Sequence, residues 1–592
     1  MHAFLASVSL AVLVAAAVMP AHAASTHATP KAQSADAQFE ALYTKEWKWR
    51  EDQFPGGEDD SHKGIVDHLP HVDAATQDMR LHYWEDVLKQ AQAIPREKLS
   101  PKEQVNYDVY IPQIQVLIAD QKFRTYEMPA NSDTTFWTDL GYTARSDFKT
   151  EQDYKSWIAQ MREIPRYFHE QMDEMRAGLK RGFTPPQVTL QGRDSSITDV
   201  TNATPEASLF YTPFKTMNAS VPAADQAALR AEAVAAIRDT VQPAYRELLK
   251  FWDDEYVPGA RKTLAADDLP DGKAFYQAQI FEYTTTNMTP EQIHQIGVEE
   301  VAKLHQQMID VMKSTGFKGD FAAFQEFLRT DPQFYAKTPQ ELLDKAAWIA
   351  KEFDGKASTY FGLLPRSRFT IKPVPPDLAP FYTSGRGGAG IFLLNTYDLP
   401  HRPLFNLRPL TLHESAPGHA FQIPLAMEDK TLPDFRRYTY ISAYGEGWAL
   451  YCEYLGQEMG MYPTPYDQFG YLGWQIWRAA RLVVDTGIHS QGWTRQQAVD
   501  YLREYTALPD HEIQTEVDRY IAWPGQALSY YLGEMAIRKD RARAEAALGP
   551  KFNIRAFHDT VLALGSVPLP VLDARIDRFI AEGGKGPYPD LE

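Results

Sequence analysis

The chain has 592 residues, of which 44% are hydrophobic and 23% charged, an ordinary balance for a folded globular protein with a large core. Its 60 Lys and Arg stand against 78 Asp and Glu, so the formal net charge is −18. This composition excludes disorder on a large scale, and it argues against nucleic acid as a partner because phosphate groups require basic patches.

The first 23 residues are typical of a signal peptide. Residues 3–18 form an apolar core, and Ala21-His22-Ala23 supplies small residues for cleavage after Ala23. A transmembrane anchor is the alternative, but the apolar run is short for a bilayer. No cysteine follows the cleavage point to carry a lipid, so no stable membrane anchor is expected. We predict a periplasmic or secreted protein in which residues 24–37 form a flexible lead-in.

Helical periodicity dominates the chain after this lead-in. Several predicted starts carry Ser or Thr three residues before Glu or Gln, which is typical of a capped helix N-terminus. The pattern predicts helices over residues 72–93, 101–120, 151–181 with an interruption at Pro165, 225–256, 289–314, 338–353, 443–459, 466–486, 494–506 and 525–547.

Strand patterns are few and lie close together. Residues 369–375 and 390–397 are the best candidates, and a Gly-rich link spans Ser384–Gly388. They come just before the motif described next, which predicts a small sheet beside a cleft. The predicted fold class is mainly α, with one domain over residues 38–592 whose N-terminal lobe ends near residue 365.

Residues 413–419 read His-Glu-Ser-Ala-Pro-Gly-His. Two imidazoles with a carboxylate suit a zinc ion, and Glu414 beside the first histidine can act as a base toward zinc-bound water. A regular helix would point His413 and His419 about 120° apart at this spacing. Pro417 cannot donate to the carbonyl of His413, so the helix must open there. A bulge of about two residues would return the second histidine to the face of the first.

Two acids compete for the third ligand position. Glu446 is the only charged residue between Tyr438 and Cys452, where an unpartnered carboxylate would be costly to bury. Glu453 lies seven residues later on the same helical face, so it either replaces Glu446 as ligand or orients a histidine. Gln422, three residues after His419, is within reach of a supporting hydrogen bond. The alternative is an ordinary helix start with two unrelated histidines.

Three segments resemble the bacterial family called domain of unknown function 885: HESAPGHAFQ (413–422), EGWALYCE (446–453) and RYIAWPGQALSYYLG (519–533). Members of this family resemble gluzincin metallopeptidases, the group that contains thermolysin and the helical dipeptidyl carboxypeptidases. The resemblance implies a large two-lobed helical peptidase fold with Zn²⁺ as cofactor. Family members often carry a second histidine directly after the Pro-Gly-His triplet, where this chain has Ala420.

The third segment offers donors for an oxyanion, which the hydrolysis of an amide requires. By resemblance to helical gluzincins, which supply a phenol from a late helix, Tyr530 is the predicted donor, with its neighbour Tyr531 as the alternative. Gln526 lies one turn earlier on the same face and is a predicted substrate contact. His489 is a second candidate donor, although a core histidine is as plausible.

Further residues are candidates for substrate binding. Arg519 and Arg538 can each pair with a substrate carboxylate, because a guanidinium binds it bidentately, and a structural ion pair is the alternative for each. Gly388, together with Gly387 and Gly390, would let a peptide backbone approach and pair with a strand edge. A surface loop is the alternative for this glycine-rich link.

These features favour an exported zinc metallopeptidase that hydrolyses short peptides, of dipeptidase or carboxypeptidase type, because two helical lobes would exclude folded proteins. One alternative is a zinc hydrolase of non-peptide amides. Another is a non-catalytic metal-binding or structural protein. No oligomeric state is predicted.

Overall fold

The computed structural model describes residues 34–55, 64–131, 134–376 and 378–588. The predicted signal peptide lies outside these residues, and so does most of the predicted lead-in. The first helix begins at Ala35, inside the stretch expected to be a flexible lead-in. Within the described residues, no helix combines the length and the apolar composition needed to cross a lipid bilayer.

The helices of the N-terminal part include those predicted near residues 72–93 and 101–120. They are α1 (Ala35–Gln53), α2 (Ala74–Gln92), α3 (Pro101–Phe123), α4 (Phe136–Ala144), α5 (Glu151–Arg181), α6 (Ser195–Asn202), α7 (Thr212–Lys215), α8 (Ala223–Ala236), α9 (Gln242–Phe251) and α10 (Val257–Gly259). Short π-helical segments over residues 237–241 and 252–256 join α8, α9 and α10, so the helix predicted over 225–256 is a chain of three pieces.

Helix α5 runs without interruption, which corrects the predicted break at Pro165. A proline inside a helix costs about 3 kcal/mol because one hydrogen bond is lost. The same helix buries one face completely, including Trp157, Met161, Phe168 and Met172. Burying four such side chains outweighs that cost, at about 1.5–3 kcal/mol each.

The helices of the C-terminal part begin after a turn at residues 266–268. They are α11 (Gly272–Thr284), α12 (Pro290–Ser314), α13 (Phe321–Thr330), α14 (Pro339–Asp354), α15 (Ala357–Tyr360), α16 (Leu407–Glu414), α17 (His419–Glu428), α18 (Asp434–Arg437), α19 (Ser442–Glu458), α20 (Pro465–Gln491), α21 (Arg495–Tyr505), α22 (Asp510–Ala522), α23 (Ser529–Leu548), α24 (Ile554–Leu562) and α25 (Leu569–Ala581). The mainly α fold class is therefore confirmed.

A small sheet lies between α15 and α16. Its strands are β1 (Thr370–Pro373), β2 (Gly385–Gly388) and β3 (Ile391–Leu394), in the spatial order β1-β3-β2. β1 is parallel to β3 and β2 is antiparallel to it, with Gly387 opposite Phe392. The two predicted strands are confirmed. The Gly-rich stretch between them is itself a strand, and it forms one edge of the sheet.

The buried side chains do not divide at residue 365. One hydrophobic cluster joins α1, α2 and α3 to nearly everything after residue 264, and a second cluster lies mainly within residues 130–260. Helix α12, which precedes the predicted boundary near residue 365, lies directly on α20, since a Cβ at Gly297 would stand 2.7 Å from Cγ2 of Val483. Helices α1–α3 and α11–α15, all before residue 365, therefore share their core with the motif helices, whereas α4–α10 pack mainly within the second cluster.

Candidate metal centre

The two motif histidines lie on consecutive helices. α16 ends at Glu414 and α17 begins at His419, so the expected bulge is a complete break in the helix. The turn between them is closed tightly, because a Cβ at Gly418 would lie 1.8 Å from the carbonyl oxygen of His413. The indole N–H of Trp448 donates to the carbonyl of Pro417 at 2.8 Å and fixes the turn to α19. The two imidazole rings converge as predicted, with centroids 5.0 Å apart.

Glu446 completes a three-residue cluster. Its Oε2 lies 3.4 Å from Nε2 of His413 and 3.4 Å from Nε2 of His419. Two ligand atoms bound at about 2.0–2.1 Å to a tetrahedral zinc ion are separated by about 3.3 Å. The three side chains are therefore spaced as ligands of one metal ion; the two histidines are buried and Glu446 is partly exposed.

Two glycines in the Gly-Glu-Gly-Trp sequence make this position possible. A Cβ at Gly445 would lie 2.2 Å from the ring of Tyr440, so only glycine leaves room for that phenol beside Glu446. A Cβ at Gly447 would lie 2.4 Å from the backbone of Gly533 on α23. Helices α19 and α23 therefore cross in direct backbone contact, and this crossing brings the N-terminal end of α23 to the cluster.

Glu453 orients the first histidine. The Nδ1–H of His413 donates to Oε1 of Glu453 at 2.8 Å, and the Glu453 side chain is fully buried. With Nδ1 engaged, Nε2 of His413 is left facing Glu446. The two acids thus take different positions, Glu446 among the possible ligands and Glu453 behind one of them, as expected for a carboxylate that supports a metal-binding imidazole.

Gln422 does not make the predicted supporting contact. Nδ1 of His419 and Oε1 of Gln422 are both buried, and neither has a hydrogen-bond partner among the described residues. One turn of α17 separates the two residues, but the amide does not reach the ring. His419 therefore lacks the carboxylate support that His413 has.

The charges of this cluster act strongly on each other. Burial opposes a charge on Glu446, but the two imidazoles outweigh burial and hold its pKa well below the usual range. Burial also works against a charged His413, yet Glu414 and the two acids bonded to the ring raise the pKa of His413 to about 10. Burial raises the pKa of Glu453, and the hydrogen bond from His413 limits the rise. The acids thus draw positive charge into the cluster, a demand that a divalent cation satisfies.

Glu414 is held by the edge of the sheet. Its Oε2 accepts a hydrogen bond from the backbone N–H of Gly387 at 2.6 Å, and its side chain is almost fully buried. A Cβ at Gly387 would lie 1.9 Å from the carbonyl oxygen of Glu414, so β2 touches the end of α16 only because this residue is glycine. At Gly388 a Cβ would meet nothing within 4 Å, so the next position faces open space. The predicted sheet beside the site is confirmed.

Tyr530 lies beside the cluster and Tyr531 does not. The Tyr530 ring is nearly parallel to that of His413, with centroids 6.4 Å apart. Its phenol oxygen accepts long hydrogen bonds of 3.4 Å from both Arg519 and Gln526. The phenol of Tyr531 instead donates to Glu300 on α12 at 2.8 Å. Arg519 and Gln526 therefore reach the site through Tyr530, and their contact with a substrate stays a prediction.

His489 and Arg538 are engaged elsewhere. Nδ1 of His489 accepts from the backbone N–H of Ala266 at 3.1 Å, and Nε2 donates to the carbonyl of Tyr520 at 2.8 Å. Both ring nitrogens are used by buried backbone, so the assignment of His489 as an oxyanion donor is corrected to a core role. Arg538 pairs with Glu534 at 3.3 Å and lies over Tyr454, so its structural alternative holds instead of the substrate role.

Sequence reasoning missed Tyr440. Its ring meets that of His419 edge-on at 6.3 Å between centroids, and 43% of the side chain is exposed. It is therefore a partly exposed side chain next to a possible ligand, and burial together with the charge of Glu446 raises the pKa of its phenol well above the usual value. Its position in the aromatic run before Glu446 was a usable signal, because that run precedes the helix carrying the acid.

Comparison with known proteins gives a family and a fold. A family model described as "Bacterial protein of unknown function (DUF885)" matches residues 57–576. No curated protein matches the chain.

Solved structures that share this fold include two described as lipoproteins. One, described as "the putative lipoprotein from Colwellia psychrerythraea", is 26% identical, with a TM-score of 0.86 over 93% of this chain and 100% of its own. The other, described as "a putative lipoprotein of unknown function from Shewanella oneidensis", is 16% identical, with a TM-score of 0.63 over 92% of this chain and 99% of its own. The second likeness concerns the fold alone.

Proposed function

The chain belongs to the DUF885 family of bacterial proteins of unknown function, and we propose that it is a zinc-dependent metallopeptidase that hydrolyses short peptides. The observation that carries the proposal is the position of Glu446 Oε2, 3.4 Å from Nε2 of both His413 and His419. Three protein ligands of this type are typical of catalytic zinc sites, whereas structural sites have four.

His413, His419 and Glu446 would hold the metal ion, and the donor set fits zinc. A zinc ion in this position would lower the pKa of a water molecule to about 7 and polarise a carbonyl group. The Nδ1 hydrogen bond from His413 to Glu453 supports this assignment, because it presents the Nε2 lone pair to the cation.

Glu414 is the proposed general base. Its carboxylate lies next in sequence to His413, and the Gly387 N–H holds one of its oxygens in place. It would take a proton from the attacking water and return it to the leaving nitrogen. A base in such a role typically contributes about 10²–10⁴-fold to the rate.

Two phenols are available for the oxyanion. Tyr530 accepts from Arg519 and Gln526, so its own hydroxyl hydrogen is left to donate to a substrate oxygen. Tyr440 is the more exposed of the two and lies on the side of His419. Donors placed where negative charge develops stabilise the transition state of amide hydrolysis.

The edge of the sheet favours an extended peptide as substrate. β2 is an edge strand, and the N–H of Gly387 points away from β3 toward Glu414. In a strand the N–H and C=O of one residue point to the same side, so the Gly387 carbonyl also faces outward. A substrate N–H could bond to this carbonyl, which is how peptides commonly add to a sheet edge.

A gluzincin-like fold and export from the cytoplasm belong to the same proposal. The mainly helical architecture with a small sheet beside α16 agrees with the first. The apolar residues 3–18 agree with the second, and so does the description of the Colwellia psychrerythraea structure as a "putative lipoprotein".

Glu414→Gln is the direct test. Zinc content, measured on chelator-free protein by elemental analysis, should remain at one ion per chain, and hydrolysis of a panel of di- to pentapeptides should fall by about 10²–10⁴-fold. Glu534→Gln serves as a matched control, because Glu534 is a buried acid on α23 that pairs with Arg538. It should leave both readings unchanged.

The other outcomes separate the alternatives. Unaltered activity in Glu414→Gln would remove Glu414 as the base. A zinc-loaded wild type that cleaves acylated amino acids but no peptide would indicate a hydrolase of non-peptide amides. Bound zinc without any turnover would favour a non-catalytic metal protein.

A further inference from the structure

Arg478 on α20 is buried in an aromatic cage beside the candidate metal centre. Its guanidinium carbon lies 4.3 Å from the ring centroid of Trp474, 4.0 Å from that of Trp477 and 5.3 Å from that of Tyr530. Trp474 and Tyr530 are also neighbours of His413, each with a centroid distance of 6.4 Å. One layer of aromatic rings therefore separates this cation from a proposed metal ligand.

The guanidinium lacks the partners that a buried arginine normally has. The side chain is 4% exposed, and its Nε and Nη1 have no hydrogen-bond partner among the described residues. Stacking on rings offsets part of the cost of burying the charge, but it leaves the N–H groups unsatisfied. Glu453 and Glu516 attract this charge, but neither bonds to Nε or Nη1, so a bound anion would complete the site.

The neighbouring arginines already have their anion. Arg481 donates to Glu516 at 2.8 Å and to the phenol of Tyr520, and Arg519 lies 3.6 Å from the same carboxylate. Glu516 thus serves two cations on one side of Tyr530. Arg478 is the member of this group that remains to be paired.

An open space adjoins the cage. A cavity of about 650 Å³ is lined by Trp474 and Trp477, by Leu410 of the motif helix and by Ser384 next to β2. It thus reaches from the residue before β2 to the two rings that cover Arg478, while the guanidinium itself does not line it. Its volume is in the range of sites that take small ligands.

We propose that Arg478 binds the C-terminal carboxylate of the substrate, so that the protein acts on peptides that end in a free carboxylate within this cavity. The inference rests on the proposed function, whose site it shares. A carboxylate is the anion that a peptide substrate carries at its end, and a guanidinium binds it with two parallel hydrogen bonds. The role predicted for Arg519 or Arg538 thus passes to a residue that sequence reasoning did not single out.

Binding to the zinc-loaded Glu414→Gln protein tests the inference without turnover. Tetra-alanine with a free C-terminal carboxylate and the same peptide as its C-terminal amide are titrated by calorimetry. The free acid should bind about 10–100-fold more tightly, because hydrogen bonds between charged groups are about twice as strong as neutral ones. Adding Arg478→Met should reduce this ratio to about threefold or less, since Met keeps an apolar contact with the rings but has no donor.

Two further variants keep the test decisive. Arg495→Met removes an arginine already paired with Asp518 at 2.6 Å and should leave the acid-to-amide ratio unchanged. Arg478→Lys keeps the charge but loses the planar fork, so it should give an intermediate ratio even where Arg478→Met fails to fold.

The outcomes separate this inference from the proposed function. Equal binding of acid and amide by the wild-type site, or a ratio that Arg478→Met and Arg478→Lys leave intact, would overturn the inference. Preferential binding of the acid with loss in both variants would support it. If the acid is preferred but the wild type hydrolyses no peptide, the carboxylate site would be kept and the proposed peptidase function would be overturned.

Discussion

Replacing Glu453 with Gln should weaken zinc binding about 10–100-fold, or about 1.4–2.7 kcal/mol. Glu453 accepts the Nδ1–H of His413 at 2.8 Å and is fully buried, so no water can take its place. A hydrogen bond to a charged group contributes about 1.5–3 kcal/mol, which agrees with that range. The amide of Gln still accepts the hydrogen bond, but it no longer supplies the charge that makes the imidazole a stronger ligand.

The measurement is competition for zinc with a chromophoric chelator at pH 7, using the wild type, Glu453→Gln and Glu534→Gln. Glu534 is a buried acid whose ion-pair partner is Arg538, so its change to an amide should leave zinc binding unaltered. Wild-type affinity in Glu453→Gln would refute the orienting role. An equal loss in both variants would show that damage to the core, and not the orientation of His413, weakens the binding.

Two other changes test the packing and the buried charges. Gly387→Ala should destabilise the fold by about 1–3 kcal/mol in thermal melts, because its Cβ would meet the Glu414 carbonyl at 1.9 Å. Gly388→Ala is the control and should leave the melting temperature unchanged. Equal melting temperatures for the two variants would contradict the contact. Burial lowers the pKa of His489 and of His558 to about 3, from 6.5 in the unfolded chain. The folding stability that is present above pH 6.5 should therefore be lost as the pH falls. The loss should reach up to about 1.4 kcal/mol per pH unit for each ring. Urea unfolding at pH 7.5 and 5.0 should show a smaller loss in His558→Gln than in the wild type, and an identical loss would remove this account.

The motif could be placed from the sequence because its chemistry and its geometry agree. Pro417 cannot continue a helix, and the two histidines around it converge as that argument requires. The sequence could not show which of Glu446 and Glu453 lies among the possible ligands and which lies behind His413. Residues seven apart share one helical face, and the pattern does not show which end of that face meets the histidines. That choice depends on where α19 crosses α23, which is a tertiary contact.

Other parts of the fold leave weak signals. The β2 strand has three glycines in four residues, so no side-chain alternation marks it, and its pairing comes from β3. Helix α20 is buried on nearly all sides, so periodicity could not tell whether His489 faces the site or the core. Most of the long helices were predicted within a few residues, since one apolar face is enough to identify them, but the 19-residue helix α1 was not predicted. Short helices such as α4 and α24 depend on neighbours and were missed.

The crossing of α19 and α23 at Gly447 and Gly533 leaves no side chain between the two backbones. The separation of Glu446 from Tyr530 is therefore a main-chain dimension, and substitutions in the surrounding core cannot tune it gradually. In the proposed peptidase, diversification of substrate preference would have to occur in the cavity wall and in the loops, while the proposed ligand and the phenol keep a fixed spacing.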